Sequence, residues 1–330
     1  MKIFNKILNA VAISLLIYFA IALGLIFSQN PVELTGQGGL EFGRQTAIQA
    51  SDPAELAPYK ARDGATLYAR HYASKIENAP LVVLIHGSGW HGLQFDELAR
   101  GLTDVADVIA PDLRGHGKTP ERRGDVDYIG QLEDDIADLI AQYRQDGQKV
   151  VLAGHSSGGG LVVRFAGGEH GDVIDAAVLM APFLKYNAPT TRENSGGWAQ
   201  PLTRRIIGLS MLTQLNINRF NHLPVIQFNF PNSVLGGPLG HTATTAYSFR
   251  LNTAFAPSRD YLKDIAALPE FLLIAGTTDE AFVAQQYEPL MTDVTDQGQY
   301  LLVKDVSHLD IVNAPETANA IRAFLKAMSE

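Results

Sequence analysis

The chain contains no cysteine. That absence excludes disulfides, thiolate metal sites, a cysteine nucleophile and lipobox-type lipid attachment at once. Positive charge is scarce too: 26 Lys and Arg stand against 35 Asp and Glu, giving a net charge of −9 with no basic stripe. A nucleic-acid partner needs cations matched to phosphates, so none is expected. No Asn-x-Ser/Thr sequon occurs, which favours a bacterial envelope over a eukaryotic lumen. The nine histidines show no metal-ligand spacing and there is no phosphate loop, so neither a metal nor an organic cofactor is called for.

Charge is missing altogether from residues 7–27, an apolar run of 21 positions. As a helix it would reach about 32 Å, enough to cross a bilayer. Lys2 and Lys6 precede it, and the nearest charges after it are Glu33, Glu41 and Arg44. The positive-inside rule then puts the N-terminus in the cytoplasm and the rest of the chain outside, facing the periplasm in a bacterial inner membrane. The preferred reading of residues 1–28 is an uncleaved anchor. A cleaved signal is second, because its apolar core is usually shorter and Leu25-Ile26-Phe27-Ser28 offers no small pair for cleavage. Residues 29–58, rich in Gly, Gln, Pro and Ala, read as a linker.

What is present from residue 59 onward is an alternation of strand and helix patterns. Two strand-like segments flank Asp63-Gly64, a strong hairpin signal. Short apolar runs at 81–85, 105–110, 149–153, 176–180, 271–276 and 300–303 read as buried strands. Helical patterns fall at 131–143, 159–166 and 315–328. Such alternation predicts an α/β fold with a mostly parallel sheet and right-handed crossovers. With 46% hydrophobic residues the chain can build one large core. The pattern stops between about 183 and 268, too long a stretch for a loop, so an inserted cap of short helical runs is expected there. Its segment 202–212 is apolar at helical spacing with a basic edge. It reads as ordinary cap core or, alternatively, as a lid lining an acyl pocket or touching lipid.

The chain is organised around Gly154-His155-Ser156-Ser157-Gly158, set between a buried strand and a helix. A sharp strand-to-helix turn leaves its flanking positions almost no room for side chains, which suits the glycines, and it exposes Ser156 at the tip. A serine hydroxyl needs a base, and the base needs a partner that fixes its tautomer. Asp279 and His308 each follow a predicted strand, and the order Ser, Asp, His places all three where loops of a parallel sheet converge. Glu280 is adjacent to Asp279, and Asp305 and Asp310 lie nearer His308 in sequence; Asp279 is preferred as the first acid after its strand. Oxyanion donors are expected from the backbone N–H of Ser157 and, in His86-Gly87-Ser88-Gly89-Trp90, of Ser88. His86, Gly87 and Trp90 are candidate substrate-binding residues, with His86 read as ordering the loop rather than as a second base. Asp112, Arg114 and His116 read as tying down a neighbouring turn.

These pieces resemble the α/β-hydrolase family, near its monoacylglycerol-lipase, lysophospholipase and serine-aminopeptidase-like branch. Asp63-Gly64, His86-Gly87-Ser88-Gly89, Asp112-Leu113-Arg114-Gly115-His116-Gly117, Gly154-His155-Ser156-Ser157-Gly158, Gly276-Thr277-Thr278-Asp279 and Ser307-His308 carry the likeness, over residues 59–185 and 268–328. His86-Gly87-Ser88-Gly89 departs from the triple-glycine form of some esterases, and the cap shows no usable match. The resemblance implies an α/β-hydrolase domain at 59–330 acting by acyl transfer. Its expected substrate is a monoacylglycerol, lysophospholipid or similar ester. Peptidase or acyltransferase chemistry on the same residues, and a non-catalytic binding module, are the alternatives.

Overall fold

A computed structural model describes residues 1–36, 39–43, 53–118 and 120–328. Parts of the expected linker (37, 38 and 44–52), Thr119, and the last two residues of the expected domain lie outside the described residues. Eleven strands and six longer helices are used below. The strands are β1 (Leu56–Lys60), β2 (Thr66–Tyr72), β3 (Leu81–Ile85), β4 (Asp107–Asp112), β5 (Val150–His155) and β6 (Ala176–Met180), then β7 (Ala199–Pro201), β8 (Pro224–Phe228), β9 (Ala246–Ser248), β10 (Phe271–Gly276) and β11 (Gly298–Val303). The helices are α1 (Lys2–Phe27), α2 (Asp96–Leu102), α3 (Gln131–Tyr143), α4 (Ser157–Ala166), α5 (Thr203–Gln214) and α6 (Pro315–Ala327).

Eight strands form one sheet in the order β1-β2-β4-β3-β5-β6-β10-β11. Only β2 runs against its neighbours, pairing antiparallel with both β1 and β4. The other pairs, β3 with β4 and β5, β5 with β6, and β10 with β6 and β11, are parallel. Central strands β3, β5, β6 and β10 are buried along their whole length, as expected for strands covered by helices on both faces. Strands β3 and β4 exchange places in the order, so β2 neighbours β4 and β3 neighbours β5, and a further jump separates β6 from β10, where the cap is inserted. The C-terminal ends of β5, β10 and β11 thereby open onto one rim.

The cap differs from the expected set of helical runs. It contains an antiparallel sheet, β7-β8-β9. The core strand of that sheet, Pro224-Val225-Ile226-Gln227-Phe228, mixes buried and half-buried positions within five residues, too short a window for its pattern to stand out from a helical one.

The segment expected as cap core or acyl lid forms α5, and it packs as cap core while the same face also meets α1. Leu209 and Leu212 pack on Ala22 and Ile26 of α1, together with Val225 and Phe249. Gly208 makes the close approach possible: a Cβ there would stand 2.6 Å from the Ala22 carbonyl oxygen. The Tyr18 hydroxyl donates to the Met211 carbonyl at 2.7 Å, and the Arg205 guanidinium donates to the main-chain oxygens of Ile26 and Pro224. α1 is long and apolar enough to cross a membrane, and most of its apolar stretch faces away from the rest of the protein.

Candidate active site

Ser156 sits between β5 and α4 with φ 56° and ψ −122°. That left-handed conformation costs a non-glycine residue about 1–3 kcal/mol, and it persists only where surroundings impose it. Here the Ser156 N–H donates to Met180 O at 3.0 Å. Its carbonyl accepts from Gly160 N at 3.1 Å and Phe183 N at 2.8 Å. The glycines of the motif meet the same constraint. A Cβ on Gly154 would strike the Gly158 carbonyl oxygen, and one on Gly158 would strike those of Ile85 and His86.

The loops after β10 and β11 bring the other two residues to this tip. His308 Nε2 lies 3.0 Å from Ser156 Oγ, and His308 Nδ1 lies 2.8 Å from Asp279 Oδ2. The second Asp279 oxygen accepts from the N–H groups of Ala281 at 2.8 Å and Phe282 at 2.7 Å. Burial by itself pushes the Asp279 carboxyl up. The His308 ring and these hydrogen bonds outweigh burial and hold the carboxyl below its ordinary range. An ionised Asp279 beside Nδ1 keeps the Nδ1–H tautomer, so Nε2 presents its lone pair to the serine hydroxyl.

Glu280, the adjacent acid, has a different role. Its Oε2 accepts from the His308 backbone N–H at 2.7 Å and its Oε1 from Glu41 N–H at 3.3 Å. Asp305 bonds through its own N–H to Thr277 Oγ1, and Asp310 through its N–H to Ser307 Oγ.

The loop after β3 lies opposite. Ser88 Oγ and Ser157 Oγ are 2.5 Å apart, so the two expected oxyanion positions adjoin each other. Ser157 opens α4, where the first N–H groups of a helix lack intrahelical acceptors and favour negative charge. Gly87, Ser88 and Trp90 line a cavity with Ser156 and His308. His86 does not line it. Its Nδ1 donates to Gly87 O at 2.8 Å and its Nε2 accepts from Leu113 N–H at 3.1 Å, so it orders the loop from beneath. Burial pushes its pKa down to about 4, keeping it neutral. His116 is likewise structural, joined to the Arg114 carbonyl and to Tyr247 OH, while Asp112 bonds Arg70 and the Gly92 N–H.

Several residues at the site gave no sequence signal. Gln94 accepts from Gly87 N–H at 3.4 Å and donates to His155 Nδ1 at 3.1 Å. Tyr247, from cap strand β9, accepts the Gly89 N–H at 2.6 Å and pins the cap to the loop after β3. Leu40 and Phe42, from the segment following α1, line the same cavity as Ser156. Among the described residues no group of three His, Cys, Asp or Glu stands close enough to hold a metal ion.

Comparison with known proteins bears on the fold and the family. Human monoglyceride lipase is 30% identical over 128 residues, covering 38% of this chain and 42% of that protein. A probable protein phosphatase methylesterase 1 from Caenorhabditis elegans is 35% identical over 92 residues, 27% of this chain and 25% of that one. The chain thus spans less than half the length of these curated relatives. Among solved structures, a soluble variant of monoglyceride lipase from Saccharomyces cerevisiae superposes with a TM-score of 0.64 at 17% identity, covering 85% of this chain and 96% of that one. A membrane phospholipase A superposes with a TM-score of 0.58 at 17% identity over the whole of both chains. At these identities the likeness establishes the fold, an α/β-hydrolase. The profile of the family described as "Serine aminopeptidase, S33" matches residues 77–309, more than half of the chain. The chain therefore belongs to the serine aminopeptidase S33 family of α/β-hydrolases.

Proposed function

We propose that this chain is a carboxylic-ester hydrolase acting by two-step acyl transfer, and that Ser156, His308 and Asp279 carry the reaction. The observation behind this reading is the unbroken hydrogen-bonded chain from Ser156 Oγ through His308 to Asp279. Ser156 Oγ attacks the ester carbonyl as His308 Nε2 takes its proton, and Asp279 stabilises the imidazolium. The N–H groups of Ser88 and Ser157 hold the oxyanion, each worth about 10²–10³ in rate. His308 then protonates the leaving alcohol. Water, deprotonated by the same ring, attacks the acyl-enzyme and releases the acid.

An apolar acyl group fits the site better than an aminoacyl group. The cavity beside Ser156 is lined by Leu40, Phe42, Trp90, Trp198 and Leu309, and among the described residues no carboxylate lines it to pair with a substrate ammonium. An aminopeptidase reading, which the family's description favours, needs such an anion. The preferred substrates are therefore monoacylglycerols, lysophospholipids and related esters. α1 anchors the domain in a bilayer, with the N-terminus cytoplasmic and the hydrolase domain outside.

The test uses the full-length protein in detergent. A fluorophosphonate probe labels the wild type, and Ser156→Ala abolishes labelling. A chain-length series of p-nitrophenyl esters is turned over, while aminoacyl-nitroanilides are not. Labelling that survives Ser156→Ala, or nitroanilide turnover above ester turnover, overturns the reading.

A further inference from the structure

The space beside Ser156 is too small for the substrate class proposed above. The cavity measures about 20 Å³, room for one or two water molecules, against the ~300–1,000 Å³ of ordinary small-molecule sites. Some part of its wall therefore occupies volume that an acyl chain needs. On the catalytic side the wall is tied into a hydrogen-bonded network of Gln94, His155 and His308. The oxyanion loop is held by Tyr247 and by Thr244 N–H on Gly89 O at 2.8 Å.

The remaining wall is made by Trp90, Trp198, Leu309 and the strap that follows α1. Leu40 and Phe42 are buried, at 6% and 7% exposure, although they belong to the connecting segment rather than to the sheet or the cap. They alternate with Glu41, so in an extended strap both side chains face the same way. The Phe42 ring packs at 5.4 Å from Phe230, 5.5 Å from Trp198 and 6.1 Å from Trp90. Farther back, Val32 exchanges two hydrogen bonds with Gln227, and Gly36 N–H donates to Asn229 Oδ1 at 3.0 Å. The strap reaches the catalytic loop through Glu280, whose carboxylate bridges Glu41 N–H and His308 N–H. The strap side of the bridge is the longer one, 3.3 Å against 2.7 Å.

We propose that Leu40 and Phe42 fill acyl-chain space beside Ser156, that a long acyl chain enters by displacing them, and that they set the chain length the site admits. This rests on the ester-hydrolase reading. It makes the segment joining anchor to domain, and not the cap alone, the selector of substrate. An alkyl chain replacing the two side chains meets the same aromatic surface of Trp90, Trp198 and Phe230, so apolar contact is exchanged rather than lost.

The test measures covalent inactivation of the full-length protein in detergent by ethyl p-nitrophenyl alkylphosphonates bearing butyl or dodecyl chains. Ser156 Oγ bonds to phosphorus, p-nitrophenolate leaves with the P–O electron pair, and His308 takes the hydroxyl proton. Phe42→Ala and Leu40→Ala are each expected to raise the dodecyl rate about tenfold and the butyl rate less than about twofold. Two variants are used so that misfolding of one, read from circular dichroism, leaves the other informative. Equal factors for both chain lengths, or slower dodecyl inactivation, overturn the proposal while leaving the hydrolase reading in place. A wild type that resists both probes overturns the hydrolase reading itself, and this proposal with it.

Discussion

The Nε2–H of His155 donates to the main-chain oxygen of His308 at 2.9 Å. The residue just before Ser156 thus holds the loop that carries His308, across 153 positions of sequence. Gln94 engages the other ring nitrogen, and burial, with the His308 ring beside it, pushes the His155 pKa down to about 3. His155 is neutral and structural, and through Gln94 it also reaches the loop after β3 at Gly87.

His155→Ala leaves the Gln94 amide and the His308 carbonyl without this partner. The expected stability loss is about 2–4 kcal/mol, from unsatisfied buried groups. If His155 positions the base, kcat for a p-nitrophenyl ester falls about 10–100-fold with KM changed less than about twofold, since small misplacements act on the reacting geometry. Steady-state kinetics checks this, and a proportionate change in KM alone would contradict it.

Asp279→Asn keeps an oxygen for the Ala281 and Phe282 N–H groups but removes the charge that fixes the His308 tautomer. Ester turnover is expected to fall about 10⁴-fold with the fold intact. Glu280→Gln keeps one carbonyl oxygen for the His308 N–H and loses the second acceptor, the one used by the Glu41 N–H, without touching the imidazole, so the loss there is less than about tenfold. Parallel kcat/KM measurements separate the two acids, and a larger loss for Glu280→Gln would transfer the role to it.

Stability should fall as pH drops from 6.5 toward 4. Burial depresses the pKa of His86 and His91 to about 4 and of His155 to about 3, from an ordinary value of 6.5, and holds His116 well below its ordinary value. Between those limits the unfolded chain takes up protons that the folded one refuses, so each group contributes a slope of up to about 1.4 kcal/mol per pH unit. Asp135 and Glu133, pushed up by burial, act in the opposite direction, but they are two groups against four. Depressed Asp279 adds stability above its ordinary 3.8 that is lost as pH falls below it. Thermal melts across pH 4–7 check the sign; a flat or rising Tm on acidification contradicts buried neutral histidines.

Deleting residues 1–28 should expose Leu209, Leu212, Val225 and Phe249 of the cap, which α1 covers. The truncated protein is expected to associate in size-exclusion chromatography without detergent while keeping fluorophosphonate reactivity. Gly208→Leu in the full chain should produce the same loosening, because its side chain must occupy space held by the Ala22 carbonyl and Ile26. Protection of the Gln29 region from protease, compared between wild type and Gly208→Leu, reads the contact directly.

Much of the sheet was legible because each central strand announces itself locally. Leu81–Ile85 and Ala176–Met180 match their apolar runs residue for residue, and α3 spans the helical pattern at 131–143. β4 begins two residues later than expected, at Asp107, because Val105 and Ala106 bond back to Leu102 at the end of α2. The cap sheet and the partner of α5 were not legible. β8 is five residues long, and an apolar helical face carries no label for what covers it.

The order of Ser156, Asp279 and His308, and their position after strands, follow from turn chemistry and apolar periodicity, which are written in windows of a few residues. Which of two adjacent carboxylates faces the imidazole was decided by the turn after β10, where the Ala281 and Phe282 N–H groups fold back onto Asp279 and leave Glu280 to the backbone. That Leu40 and Phe42 wall the cavity, and that α1 rests on the cap, were decided by contacts between residues nearly two hundred or more positions apart. Such contacts depend on shape complementarity between finished surfaces, and no short stretch of sequence contains both halves.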